Sequence, residues 1–298
     1  MLTSQSLNGV FVPVVTPFDK NRNLDIRSFD ELTRRLVGKG IHGLIVNGTI
    51  GETPLMDSGE LEALIMTARQ AIDATRAIPL IVGTGSNKTS STVKRTAQAK
   101  ALGADAALVV TPLDSYSDKG IIQHFRALAE AELPIVLCDL PHPGRGSLDL
   151  GTIRSIMEMD HVIGLRESTG NLSHVFKLSR SMSKPVLCGE DELFFASLCC
   201  GAQGGILAGA NLDSDQFVQV YELFQAGSIE ASHQAFDQLL PLIEFLLSEP
   251  NPAPLKWLLA QRRHIRSDRL RLPISELNHL TARNDGHLMT ANETLLMV

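Results

Sequence analysis

The chain has 298 residues, of which 44% are hydrophobic and 20% charged, and its net charge is −6. These values are typical of a globular protein with a large core, and an acidic balance without basic runs argues against binding nucleic acid or an anionic membrane. The sequence contains no signal-peptide pattern and no apolar run of about 18 residues, so we predict no membrane helix and a cytoplasmic location.

Short apolar runs alternate with amphipathic stretches along most of the chain. The runs are almost continuously apolar, as expected for strands buried on both faces of a parallel sheet. Amphipathic stretches such as 28–40, 58–72 and 91–104 predict the helices between them. The predicted strands are 9–17, 43–49, 79–85, 107–112, 134–141, 162–168, 185–191 and 204–209.

This alternation predicts a (β/α)8 TIM barrel over residues 1–226. A doubly wound open sheet is the alternative, but it requires a glycine-rich phosphate loop after the first strand, and "TPFDKNRNLD" is not one. Helices predicted at 229–248 and 252–263 then form a C-terminal helical region, 227–298, whose last residues have weak periodicity.

Active sites of such barrels lie at the carboxyl ends of the strands. Several sequence blocks, some at these strand ends and two in the C-terminal region, resemble in this order those of one known family. They are "GTIGE" (48–52), "VTP" (110–112) with "GIIQHF" (120–125), "GLRESTGN" (164–171), "GED" (189–191), "EPNPAPLKW" (249–257) and "LRLP" (270–273). Over nearly its whole length the chain resembles the dihydrodipicolinate synthase and N-acetylneuraminate lyase family, and the synthases most closely.

The resemblance implies a class I aldolase mechanism without a cofactor, in a cytoplasmic and usually tetrameric protein. In the family, a lysine on the sixth strand forms a Schiff base with pyruvate. A tyrosine on the fifth strand relays protons, helped by the signature threonine and by a tyrosine from a neighbouring subunit. An arginine after the fifth strand binds the carboxylate of the incoming substrate. We therefore expect a homo-oligomer, either a dimer or a tetramer.

The chain departs from the family pattern at the positions that carry this chemistry. The lysine position is Arg166, and the fifth-strand tyrosine position is Cys138. The second signature threonine is Ile50, and the paired tyrosines are replaced by Leu113 and Asp114. The nearest candidate for the substrate-binding arginine is Arg145. Retained positions are Gly48, Thr49, Gly51, Glu52 and, resembling the family's pyruvate pocket, Gly189 and Ile206.

Arg166 cannot perform the chemistry of the lysine it replaces. A Schiff base forms from a neutral amine, whereas a guanidinium stays protonated in proteins. The remaining lysines, Lys256 among them, fall in predicted helices or loops. The sequence therefore predicts that imine catalysis is lost.

Three roles remain open for Arg166. Its planar fork matches a carboxylate, so it can bind a small keto acid or a dicarboxylate. It can instead form an internal ion pair, because an unpaired buried charge is costly; the candidate partners are Glu52, Asp114, Glu190 and Asp191. Thirdly, it can act electrostatically in an enzyme without an imine, with His142 or Glu52 as the general base.

These observations give one functional hypothesis and two alternatives. The first is a synthase-like protein without Schiff-base catalysis that binds a small keto acid or carboxylate. The alternatives are an active lyase that uses Arg166 electrostatically, and a structural or regulatory subunit of an active paralogue. The catalytic positions are Arg166, Thr49 and Cys138, and the substrate-binding positions are Gly48, Thr49, Ile50, Arg166, Gly189, Ile206 and Arg145.

Other predictions concern metal sites, glycines and cysteines. No metal site is predicted, because Glu190 and Asp191 have no histidine at ligand spacing. Gly48 and Gly51 are expected to provide a positive φ or a close backbone approach. Cys138 is either a reactive thiol activated by Arg166 or an inert filler. Adjacent Cys199 and Cys200 are expected to be buried thiols.

Overall fold

Eight parallel strands form a closed barrel in the computed structural model, which describes residues 1–112, 117–141 and 146–278. Each strand pairs with its neighbour in the chain, and β8 closes the barrel against β1. This confirms the predicted TIM barrel and excludes the open doubly wound sheet. The strands are β1 Gly9–Pro13, β2 Gly43–Val46, β3 Leu80–Gly83, β4 Ala106–Val110, β5 Ile135–Asp139, β6 Val162–Glu167, β7 Val186–Cys188 and β8 Gly204–Ile206.

Helices follow the strands and cover the outside of the barrel. Side-chain caps fix several of their starts: Asp25 accepts the N–H of Ser28, and Asp57 and Glu60 form a reciprocal capping box. The barrel helices are α1 Ile26–Gly38, α2 Ser58–Thr75, α3 Thr89–Ala101, α4 Asp118–Ala127, α5 Leu150–Met157, α6 Leu172–Ser181, α7 Phe194–Cys199 and α8 Ala210–Gln225.

Up to residue 278, three further helices follow the barrel: α9 Ile229–Asp237, α10 Leu240–Leu247 and α11 Ala253–Gln261. The single helix expected at 229–248 is therefore two helices. Pro241 lies in the first turn of α10, where its missing N–H is not needed, whereas the interior of one long helix would not accommodate it. The division into a barrel, 1–226, and a helical region, 227–298, stays a prediction.

The core has two parts. The larger part lies between the strands and the helices and continues into α9–α11. The smaller part fills the barrel interior with side chains such as Phe11, Ile45, Leu108 and Ile206. Within the described residues, no helix has both the length and the apolar character needed to span a membrane.

Candidate functional site

The side chains of Cys138 and Arg166 lie next to each other near the carboxyl ends of β5 and β6. The strand register pairs Val110 with Cys138, and Cys138 with Arg166. Paired residues of parallel strands project to the same face of the sheet. Cys138 and Val110 belong to the group of side chains that fills the barrel, so Arg166 also projects inward.

The Arg166 guanidinium is buried and incompletely bonded. Its Nη2 donates to the Gly189 carbonyl at 2.9 Å, and its Nη1 lies 3.7 Å from the Cys138 sulfur. Its Nε has no hydrogen-bond partner in the part of the chain that the structure describes, although the residue is only 9% exposed. One neutral carbonyl and one thiol are weak partners for a buried positive charge.

The ion-pair interpretation of Arg166 finds no direct partner among the described carboxylates. Glu52 instead pairs with Lys256. Asp191 accepts the backbone N–H groups of Ala208 and Gly209 at 2.8 and 2.6 Å. Glu190 forms no salt bridge with Arg166 in the described chain, although the two attract each other at longer range. Asp114, the fourth candidate, lies outside the described residues.

Burial weakens the acidity of two carboxyls that feel this charge, Glu190 and Asp191. It raises the pKa of Asp191 to about 6, opposed by the two backbone donors and by Arg166. It also raises the pKa of Glu190, again against the attraction of Arg166. Arg166 is therefore close enough to influence these carboxyls but is not neutralised by contact with either of them.

Cys138 has the environment of an inert thiol. It is fully buried, and burial raises its pKa despite the opposing effect of Arg166. A protonated thiol is a poor nucleophile, so the reactive-thiol interpretation is not supported. The expectation that Cys199 and Cys200 are buried is wrong: Cys199 is exposed and Cys200 is half-buried, because both lie at the end of α7.

We expect iodoacetamide to alkylate Cys199 in the native protein and to leave Cys138 unmodified, because only Cys199 is exposed to the reagent. Peptide mass spectrometry before and after denaturation measures both sites. Labelling of Cys138 in the folded protein at the rate of Cys199 would contradict the burial and the raised pKa of its thiol.

The "GTIGE" stretch forms a tight turn after β2, with a short 3-10 segment at Thr49–Gly51. The positive φ angles fall on Asn47 (59°) and Glu52 (57°) rather than on the glycines. Gly48 has φ −74°, and a Cβ there would meet Pro13 at an ordinary 3.5 Å. The expected conformational role of Gly48 and Gly51 is therefore wrong.

A cavity of about 200 Å³ opens beside this turn at the carboxyl ends of β2, β3 and β4. Gly48 and Thr49 line it, together with the inward-facing Leu108 and Val110. No lysine or arginine of the described residues lines it. Cys138 lies between the cavity wall and Arg166, because it pairs with Val110 on one side and contacts the guanidinium on the other.

The other candidate binding residues have different surroundings. Ile50 packs its side chain into the core outside the barrel. Ile206 is fully buried inside the barrel and pairs with Phe11 of β1. Gly189 holds Arg166 through its carbonyl group. Arg145 and the alternative base His142 lie outside the described residues.

The match to a family model covers almost the whole chain: the dihydrodipicolinate synthetase family matches residues 6–290. The chain belongs to this family. A 4-hydroxy-tetrahydrodipicolinate synthase of Coxiella burnetii is 36% identical over 275 residues, which are 91% of this chain and 93% of that protein.

Solved structures of the dihydrodipicolinate synthetase family agree with this assignment. Dihydrodipicolinate synthase from Thermotoga maritima superposes with a TM-score of 0.90 at 32% identity, covering 95% of this chain and 97% of the other. The chloride-inhibited synthase from Acinetobacter baumannii, crystallised in complex with pyruvate, has a TM-score of 0.90 at 29% identity and covers 95% and 98%. The chain thus has the fold of this lyase and aldolase family.

Sequence reasoning missed the most deeply buried charged pair near this family's signature turn. Lys256 of α11 and Glu52 are both completely buried, and their Nζ and Oε1 atoms lie 2.8 Å apart. Burial lowers the pKa of Lys256 to about 8, against the attraction of Glu52. The available signal was a lone lysine within the apolar helix "APLKWLLA". Lys256 does not line the cavity, and its Nζ is already bonded, so it does not replace the lost nucleophile.

Proposed function

We propose that this protein has lost Schiff-base catalysis and binds a small keto acid or another small carboxylate through Arg166. The family nucleophile position carries a guanidinium, which cannot become a neutral amine at accessible pH. The family proton relay position carries Cys138, whose thiol is buried and whose pKa is raised by that burial. Arg166 and Cys138 together still permit a small carboxylate to bind without covalent chemistry.

The observation that carries this proposal is the incomplete bonding of Arg166. A buried guanidinium without a contacting carboxylate is costly, by several kcal/mol when no compensation is available. Among the described residues its Nε has no partner and its Nη2 has one carbonyl, which leaves donors for an anion. A carboxylate can accept two parallel N–H bonds from such a fork. A bound acid would supply the charge that the described residues do not.

The surroundings support an organic acid as that anion. Thr49 offers a hydroxyl at the cavity wall, and Val110 of the same wall pairs with Cys138, which contacts Arg166. A family member of the same fold, the Acinetobacter synthase, was crystallised in complex with pyruvate. We extend the proposal to a cytoplasmic homo-oligomer, as is usual for the family.

The structure offers less support for the electrostatic enzyme. Of its two candidate bases, Glu52 is fully buried and bonded to Lys256 and to the backbone N–H of Arg271. It cannot reach a substrate without breaking both contacts. The alternative of a structural or regulatory subunit paired with an active paralogue stays a prediction. We therefore retain acid binding as the function that the site supports best.

We expect pyruvate or a related keto acid to stabilise the wild type and not the Arg166→Gln variant. Loss of charged hydrogen bonds worth about 1.5–3 kcal/mol weakens binding roughly tenfold or more. Calorimetric titration and thermal shift, each relative to the unliganded form of the same variant, measure the effect. The exposed Arg154→Gln is the matched control. If no acid binds the wild type, or if Arg166→Gln binds equally well, the proposal fails.

A further inference from the structure

A buried charge cluster joins the signature turn to the C-terminal helix α11. Lys256 Nζ donates to Glu52 Oε1 at 2.8 Å and to the Thr16 carbonyl at 2.9 Å. It also lies 4.3 Å from the centre of the Phe18 ring. One ammonium group thus contacts the turn after β2 and the loop after β1.

Arg271 also belongs to the cluster. Its backbone N–H donates to Glu52 Oε2 at 2.9 Å, so both oxygens of that carboxylate are bonded. Its guanidinium lies 4.3 Å from the centre of the Phe18 ring and donates to the Leu55 carbonyl and to Glu60. Arg271 therefore holds the segment after β2 at Glu52 and Leu55, and the start of α2 at Glu60.

The geometry of the turn makes these contacts restrictive. Glu52 ends the Thr49–Gly51 segment with a left-handed φ of 57°, which side chains other than glycine adopt at a cost. Gly51 is tied through its carbonyl to the Thr16 hydroxyl at 2.7 Å. Because the carbonyl of the same Thr16 accepts from Lys256, the ammonium restrains both the end of the turn and its support.

A buried ion pair adds little to the stability of the fold, because the cost of desolvating its charges offsets their attraction. An apolar pair of similar size often gives the same stability. Its restraint on geometry is a separate effect. Thr49 and Gly48, which line the cavity, lie within four residues of Glu52 in the same turn. We therefore expect a displacement of Glu52 to shift these two lining residues.

We infer that Lys256 is a positioning residue: through Glu52 and Thr16 it fixes the turn that presents Thr49 to the cavity. It does not line the cavity itself. The part of this inference that concerns a bound acid depends on the proposed function, whereas the restraint on the turn does not.

Three variants test this inference. Lys256→Met leaves Glu52 as an unpaired buried carboxylate. Adding Glu52→Gln removes that charge while keeping an acceptor for the Arg271 N–H. Lys184→Met is the control, because the Lys184 ammonium also donates to a backbone carbonyl, that of Met159, but has no carboxylate partner within hydrogen-bond distance in the described chain.

The measurements are hydrogen exchange of the peptide covering 47–56 and the affinity for pyruvate. We expect both Lys256 variants to lose exchange protection in this peptide while β5 and β6 keep theirs, and to bind pyruvate about tenfold more weakly. The double variant should recover stability without recovering protection of the turn. This separation of stability from turn order distinguishes positioning from a purely structural role.

The inference is overturned if the double variant folds and its turn exchanges hydrogen as slowly as in the wild type. It is also overturned if the double variant does not fold, because Lys256 would then act on stability alone. Unchanged pyruvate affinity with a loosened turn also overturns it. If the wild type binds no acid, the proposed function fails, and hydrogen exchange still decides whether Lys256 fixes the turn.

Discussion

Arg166→Lys is expected to gain a covalent adduct with pyruvate that borohydride traps, while the wild type forms none. The new lysine would stand on β6 facing the barrel interior, next to Cys138 and the Gly189 carbonyl. Burial at this depth lowers the pKa of an amine and raises the fraction of its neutral, nucleophilic form. The guanidinium of the wild type stays protonated and therefore has no neutral, nucleophilic form.

Intact mass followed by peptide mapping measures this adduct and places it on residues 162–167. Arg166→Gln is the control, because it removes the guanidinium and supplies no amine. We expect no synthase turnover in Arg166→Lys, because Cys138 still replaces the family's proton-relaying tyrosine. An adduct in the wild type would overturn the loss of imine chemistry, and an adduct at Lys256 would show that the ion pair with Glu52 opens.

The barrel could be predicted from the sequence because its strands are buried on both faces. Val162–Glu167 and Ala106–Val110 are wholly or almost wholly buried, and such strands require nearly continuous apolar residues, which a sequence displays directly. The ends of the helices were harder to predict from the sequence. Pro241 broke the expected helix at 229–248, because proline fits the first turn of a helix and not its interior.

The site was predictable only where the strand register determines it. Neighbouring strands of a parallel barrel place Cys138 beside Arg166, and the family pattern identified both positions. The partner of a charge depends on side-chain packing instead. Glu52 bonds to Lys256, 204 positions later in the chain, and no local pattern indicates that pairing. The left-handed residues of the signature turn were likewise misplaced, because Asn47 and Glu52 adopt that conformation in place of the glycines.

Lys256→Met is expected to lower the free energy of unfolding by about 3–5 kcal/mol, the usual cost of leaving a fully buried charge without its partner. Among the described residues, Glu52 would keep only the Arg271 N–H as a donor, in a site without solvent access. Urea denaturation at pH 7 measures the change. The combined Glu52→Gln and Lys256→Met variant should recover most of the loss, because it leaves no charge to desolvate.

Lys184→Met is the reference for the loss in free energy of unfolding. Lys184 donates to one carbonyl at 2.7 Å and is half-buried, so its replacement removes a hydrogen bond worth about 0.5–1.5 kcal/mol and strands no carboxylate. If Lys256→Met costs no more than this control, Glu52 regains a partner or water in the variant, and the expected cost of leaving its charge unpaired is wrong. If the double variant is less stable than the single one, the attraction between the two charges exceeds their desolvation cost. The pair would then contribute to stability in its own right, beyond holding Glu52 in its left-handed conformation.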